Sequence, residues 1–282
     1  GLAPRIQTPS EGGEGRITIP EKLSPGRIPR AEAGPGLTRH NMSNTAAEVK
    51  IFALSEPILD ELETALSPER FATYLAATGG DRGRAVRLYT WNTAASAAFY
   101  GPLQALEVTL RNGFHRNLAV RYGADWYDNP AIGLDLGCLK RVAQAKKELT
   151  RSGYAVDPPH VVADLSFGFW VSLLGSGGFQ GPGRTRKANY EMTLWRPALR
   201  AAFPHAPKMN RKAAHAPLDY LRTFRNRIAH HEPVFGRHLE KDYDSILEIA
   251  GWMSPEKRDW IDAHSRVREI LAQPRDDGGI RF

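Results

Sequence analysis

Residues 225–235 read RNRIAHHEPVF. Two arginines, an asparagine, two adjacent histidines and a glutamate stand just ahead of a proline. These residue types suit one chemistry. Metal-independent cleavage of RNA needs a group that exchanges protons near neutral pH, and histidine supplies it. It also needs a cation on the charge that develops around phosphorus, and arginine's planar fork matches phosphate oxygens. The RNA's own 2′-hydroxyl serves as nucleophile, so the protein need not provide a serine, a cysteine or a metal. The same residues also suit an ordinary charged helix end, because histidines at a helix C-terminus are favoured by the macrodipole.

The element that positions these groups is legible. In PLDYLRTFRNRIAHHEP, residues Leu218, Leu221, Phe224 and Ile228 recur at helical spacing and predict a buried face. Pro233 cannot continue a helix, and the residue before a proline is pushed out of helical geometry. The helix is therefore expected to start near Asn210 or Pro217 and to end around His230 to Glu232. On it, Asn226 and His230 share a face, as do Arg227 and His230. Arg225 and His230 are five apart and diverge by about 140°. Two copies of the helix about a twofold axis bring one chain's arginine near the other's histidine, so a homodimer is the simpler geometry.

Three further groups bear on the site. Glu107, Arg111 and Asn112 lie in EVTLRN. Glu107 and Arg111 are i, i+4, which fits a surface ion pair; the alternative is that they face the motif helix and support Arg225 or RNA. His230, His231 and His238 do not make a metal set, since adjacent helical positions point to different sides and no carboxylate or cysteine completes them. No metal and no cofactor are expected. The glycine-rich stretch 175–189, with Arg184, Arg186 and Lys187, lacks the phosphate-loop ending. It reads as a solvated loop or as a basic track for an RNA backbone.

From residue 57 onward the pattern is helical nearly throughout. Ser67 and Pro68 start one helix, which Gly79-Gly80 ends; Asp81 caps the next. Gly101-Pro102 is expected to break that helix and start another, in which Leu103, Leu106, Leu110, Phe114 and Leu118 form the stripe. Helices are expected over 136–152, from Pro158-Pro159 to Gly175, over TLWRPALRAAF, and over about 237–252 and 255–272. Trp91, Trp126, Trp170 and Trp195 are expected in the core, and the tail PRDDGGIRF is expected to fray. No segment alternates convincingly as a strand. Residues 1–45, rich in Pro, Gly and Arg, read as a disordered leader or a mis-annotated start, with Met42 as the expected native start. The fold class is all-α: one helical domain over about 50–272.

Composition bounds the partners. The 282 residues carry a formal charge of +7, of which residues 1–45 hold +2, so the basic excess belongs mostly to the folded part. That favours an acidic partner such as RNA. One cysteine, Cys138, rules out a disulfide framework within the chain and fits a reducing compartment. No apolar run reaches the roughly 18–20 residues that a membrane-spanning helix needs, and no secretory signal is visible. A cytoplasmic location without a membrane partner is expected.

The motif also carries a resemblance. Arg225-Asn226-Arg227-Ile228-Ala229-His230 matches the R-x4-H signature of the HEPN superfamily, and RNRIAHHEP resembles its Abi-like (abortive-infection, AbiD/AbiF type) branch. The segments at 66–118 and DLSFGFWVSLL at 164–174 look like the N-terminal half and centre of that family, so the resemblance covers roughly residues 50–265. It implies a helical bundle with additional helices, a dimer-interface site for metal-independent RNA cleavage, and a role in defence against phage. Carried over by position, Arg225 and His230 are the catalytic pair, and Asn226 orients the site or holds a phosphate. Arg227, His231, Glu232, Glu107, Arg111 and Asn112 are the supporting or RNA-binding set. Some toxins of the superfamily carry a modified tyrosine two residues after the histidine; here that position is Glu232, so that control is not expected. Two functions follow as expectations. One is a ribonuclease toxin, with an antitoxin protein or RNA as a candidate partner. The other is a non-catalytic RNA-binding or phage-sensing protein of the same fold.

Overall fold

Short polar side chains at helix starts set the frame. In the computed structural model, which describes residues 52–181 and 183–282, Ser67, Asp81, Asp135, Asp157, Asn210 and Ser254 each accept a hydrogen bond from a backbone N–H in the first turn that follows. Such caps stabilise a helix by about 1 kcal/mol each. The helices are α1 (Glu56–Leu66), α2 (Pro68–Ala77), α3 (Arg82–Tyr122), α4 (Leu136–Arg151), α5 (Pro158–Asp164), α6 (Phe167–Ser172), α7 (Arg211–Ala229), α8 (Leu239–Met253), α9 (Pro255–Ala263) and α10 (Val267–Leu271). The fold is all-α, and among the described residues the one hairpin pairs two strands of two residues each, β1 (Phe179–Gln180) and β2 (Arg186–Lys187). The expectations placed on residues 1–45, including Met42 as the native start, lie outside the described residues.

The central element is α3, 41 residues long and unbroken. Gly101-Pro102 was expected to interrupt it, and does not. Proline removes a helical hydrogen bond, a cost of about 3 kcal/mol. Gly101 carries no Cβ to clash with the proline ring, which eases the usual pre-proline conflict. Burial supplies the rest: Phe99, Pro102, Leu103 and Leu106 all lie inside the core. The predicted stripe Leu103, Leu106, Leu110, Phe114 and Leu118 is buried throughout, as are the four tryptophans.

Four other expectations change. The helix foreseen from Pro158 to Gly175 divides into α5 and α6, because Leu165 and Ser166 both have extended backbone and interrupt the turn. TLWRPALRAAF forms a π-helical turn (Glu191–Trp195) and a 3-10 turn (Leu199–Ala202), not one helix. The segment foreseen over 255–272 divides into α9 and α10. The tail does not fray at its start: the Trp91 Nε1–H donates to the Gln273 carbonyl at 3.3 Å, the Arg275 guanidinium lies 4.8 Å from the Trp91 ring centre, and Ile280 is buried. No helix among the described residues is long and apolar enough to cross a membrane.

One core contact is sensitive to pH. The Trp126 Nε1–H donates to Nδ1 of His115 at 3.0 Å, so this imidazole must present a lone pair there. Burial holds the His115 pKa below its ordinary value. Between the folded and ordinary values the unfolded chain binds the extra proton, so stability is full above the ordinary imidazole range and falls as the pH drops through it. The urea midpoint is expected to decline between about pH 7.5 and 5.5, and His115→Gln to flatten that decline. An unchanged slope in His115→Gln refutes the assignment.

Candidate active site at the end of α7

The buried face of α7 comprises Ala214, Leu218, Leu221, Phe224 and Ile228. The Phe224 ring meets Phe99 of α3 edge to face at 4.9 Å. Glu107 lies beside Arg225, and Asn92 lies beside Val234 and Phe235, so the chain from the end of α7 into the loop after it passes along α3 toward the N-terminus of α3.

The end of α7 is a complete Schellman turn. The His231 N–H donates to the Ile228 carbonyl at 3.0 Å and the Glu232 N–H to the Arg227 carbonyl at 2.8 Å. The residue at the left-handed position is usually glycine; here it is His231, with φ +56°. A side chain in that conformation costs about 1 kcal/mol. Arg70 of α2 donates to the His231 carbonyl and holds the turn from the far side. Arg227 and Glu232, at the two ends of the turn, pair at 3.8 Å.

The chain after the turn is held by buried polar contacts. Asn92 Oδ1 accepts from the Val234 N–H at 2.7 Å and the Phe235 N–H at 3.1 Å. Arg237 grips Asp242 of α8 through two hydrogen bonds of 2.9 and 3.0 Å and covers the rings of Tyr220 and Phe224. Sequence reasoning missed these positioning residues. For Asn92 a signal existed: an amide at helical spacing in the apolar run Leu88, Ala95, Phe99 needs a buried partner. Asn92→Leu is expected to lower unfolding stability by about 2 kcal/mol, because two backbone donors lose their acceptor and only the one at half-buried Phe235 can reach water. Equilibrium urea unfolding measures it, and a loss below about 0.5 kcal/mol refutes the clamp.

Between α3 and the end of α7 lies a groove of about 910 Å³. Its polar lining includes Glu107, Arg111, Arg225 and His231, and its remaining wall is largely apolar, including Tyr100, Leu103 and Ile228. The structure thus brings together four of the residues singled out in the sequence. Glu107 pairs with Arg225 at 3.7 Å, with Arg225 half exposed, and not with Arg111. This pair orients the guanidinium without removing it from solvent, and such pairs contribute under about 1 kcal/mol. Arg111 Nη1 donates to the Ala163 carbonyl at 3.3 Å, and its buried Nε has no partner among the described residues.

The other singled-out residues stand elsewhere. His230, the helix cap, is exposed and does not line the groove. Asn226 is half-buried, and Arg227, Glu232 and Asn112 are exposed outside the groove lining. One chain therefore presents Arg225 with His231 on the groove and His230 beside it on the outer surface. The glycine-rich stretch is the short hairpin, tied at its base by the Gly178 N–H donating to Asp135 at 2.7 Å. Gly177 there has φ +77°, and a Cβ would stand 2.8 Å from that of Ala188, so no other residue fits. Among the described residues no cluster of three or more His, Cys, Asp or Glu converges on a common point. No family model matches the chain, and neither a curated protein nor a solved structure matches it.

Proposed function

We propose that this protein is a metal-independent endoribonuclease of the Abi-like branch of the HEPN superfamily, acting as a homodimer in abortive-infection defence against phage. Arg225 stabilises charge on the phosphorane, and His230 exchanges the protons. The 2′-oxygen bonds to phosphorus and the bond to the 5′-oxygen breaks. The 2′-hydroxyl proton leaves to a base and the departing oxygen takes one up, which yields a 2′,3′-cyclic phosphate and a 5′-hydroxyl end.

The observation that carries this reading is the half-exposed Arg225, aimed by Glu107, on a groove beside a histidine-bearing helix end. Arg225 and His230 diverge on one helix, which is why the reading takes the facing histidine from a second copy. The groove's α3 wall of small side chains (Thr93, Ser96 and Ala97) beside an exposed Tyr100 is a surface on which that copy can seat. A second reading has its own support: His231 lines the same groove as Arg225 within one chain, so His231 is the alternative proton carrier. Cleavage of cellular RNA in EDTA by wild type and by Arg225→Ala, His230→Ala and His231→Ala tests both. RNA binding without any loss of RNA integrity assigns the protein to the non-catalytic RNA-binding class instead.

A further inference from the structure

A second cavity, of about 440 Å³, opens where α4, α6 and α7 meet. Its polar lining is Arg141 on α4, Ser166 and Ser172 at the two ends of α6, and His215, Asp219 and Arg222 on α7. Two guanidiniums and an imidazole therefore face one carboxylate. Asp219 is already engaged, accepting from Arg222 Nε at 2.8 Å. Arg141 uses Nη1 on the Ser172 hydroxyl at 3.0 Å and the Gly168 carbonyl at 3.3 Å. Among the described residues each guanidinium thus commits one nitrogen, and each has five N–H donors in a fork that fits phosphate oxygens. The volume lies within the range of ligand sites, and the lining lacks the aromatic platform that a base would need. The balance favours the phosphate part of a ligand over its base.

Position adds the second argument. His215, Asp219, Arg222 and Asn226 follow i, i+4, i+7 and i+11 along α7, so they share one face. Arg222 is about 4.5 Å along the axis from Arg225, and His215 about 15 Å. One helix therefore carries hydrogen-bond donors suited to phosphate oxygens, His215, Arg222 and Arg225, from this cavity to the α3–α7 groove. The span matches several successive phosphates better than a single small anion.

We propose that the α4–α6–α7 cavity binds the phosphodiester backbone of single-stranded RNA and leads the strand toward Arg225. This rests on the reading of the α3–α7 groove as an RNA site, and its test is kept separate from cleavage. The probe is a fluorescein-labelled 2′-O-methyl oligouridylate of twelve nucleotides, which lacks the attacking hydroxyl. Its affinity is measured by anisotropy in EDTA across a salt series. Wild-type protein is expected to bind with a steep salt dependence. Arg141→Gln/Arg222→Gln is expected to bind at least tenfold more weakly, with the log–log salt slope reduced by about 1.4, since each lost single-strand phosphate contact removes about 0.7. Arg222→Gln alone, which disturbs only the Asp219 contact, is expected to reduce the slope by about 0.7. That single variant decides the matter if the double variant unfolds early in urea. Unchanged affinity and slope in a folded variant overturn the proposal, as does the absence of wild-type binding. ATP serves as the small-anion arm: weaker binding than the oligonucleotide supports the strand reading, and tighter ATP binding abolished by Arg222→Gln overturns it in favour of a nucleotide. Because the probe cannot be cut, failure of the nuclease assignment leaves these outcomes intact.

Discussion

Cellular RNA incubated in EDTA is expected to be degraded by the wild-type protein and to stay whole over the same times with His230→Ala, with Arg225→Ala behaving alike. A positioned proton carrier contributes roughly 10²- to 10⁴-fold to rate, and loss of a group that meets developing charge costs roughly 10²- to 10³-fold. Residues that act on one transition state are not additive, so the Arg225→Ala/His230→Ala double variant is expected to be little worse than either single one. His231→Ala separates the two proton-carrier readings. Retention of most activity in His231→Ala and its loss in His230→Ala supports a site shared between subunits. The reverse pattern supports a site within one chain's groove, where His231 and Arg225 both lie. The new ends distinguish the chemistry itself: attack by the 2′-hydroxyl leaves 5′-hydroxyl ends that a polynucleotide kinase can label directly. Equal cleavage by wild type and all three variants sinks the nuclease proposal, and a requirement for Mg²⁺ sinks its mechanism.

Asp242→Ala is expected to be the most damaging single change to stability outside the apolar core, by about 3–5 kcal/mol. Asp242 is fully buried, and its two hydrogen bonds to Arg237 hold a guanidinium that is itself only 13% exposed. Removing the carboxylate leaves that charge over the Tyr220 and Phe224 rings without an anionic partner. The thermal midpoint is expected to fall by about 10 °C for a chain of this size. Arg237→Met in the same background removes the stranded charge and is expected to recover a large part of the loss, which a double-mutant cycle in urea measures as a coupling of at least about 2 kcal/mol. Additive single changes refute the pairing as the cause. The pair closes the loop from Glu232 to His238 onto α7 and α8, so activity is expected to be lost in Asp242→Ala below its melting temperature and regained with Arg237→Met.

Much of this molecule is determined over a few residues, and there the sequence was sufficient. Ser67 and Asp81 cap the helices they precede, Leu103 to Leu118 face the core at their helical spacing, and Pro233 confines the end of α7 to the turn that precedes it. Each depends on groups within one or two turns of each other, whose geometry is set by the backbone itself. The groove residues Glu107, Arg111 and Arg225 were legible by type and position along their helices. Tertiary structure alone decided the rest. Whether Pro102 breaks α3 depends on how much apolar surface its neighbours bury. Whether Glu107 pairs with Arg111 or Arg225 depends on a helix more than a hundred residues away. That His231 faces the groove follows from a left-handed turn held by Arg70 of α2, and the loop beyond it is clamped by Asn92 of α3. Those contacts join segments far apart in the chain, and only packing brings their partners within hydrogen-bond reach.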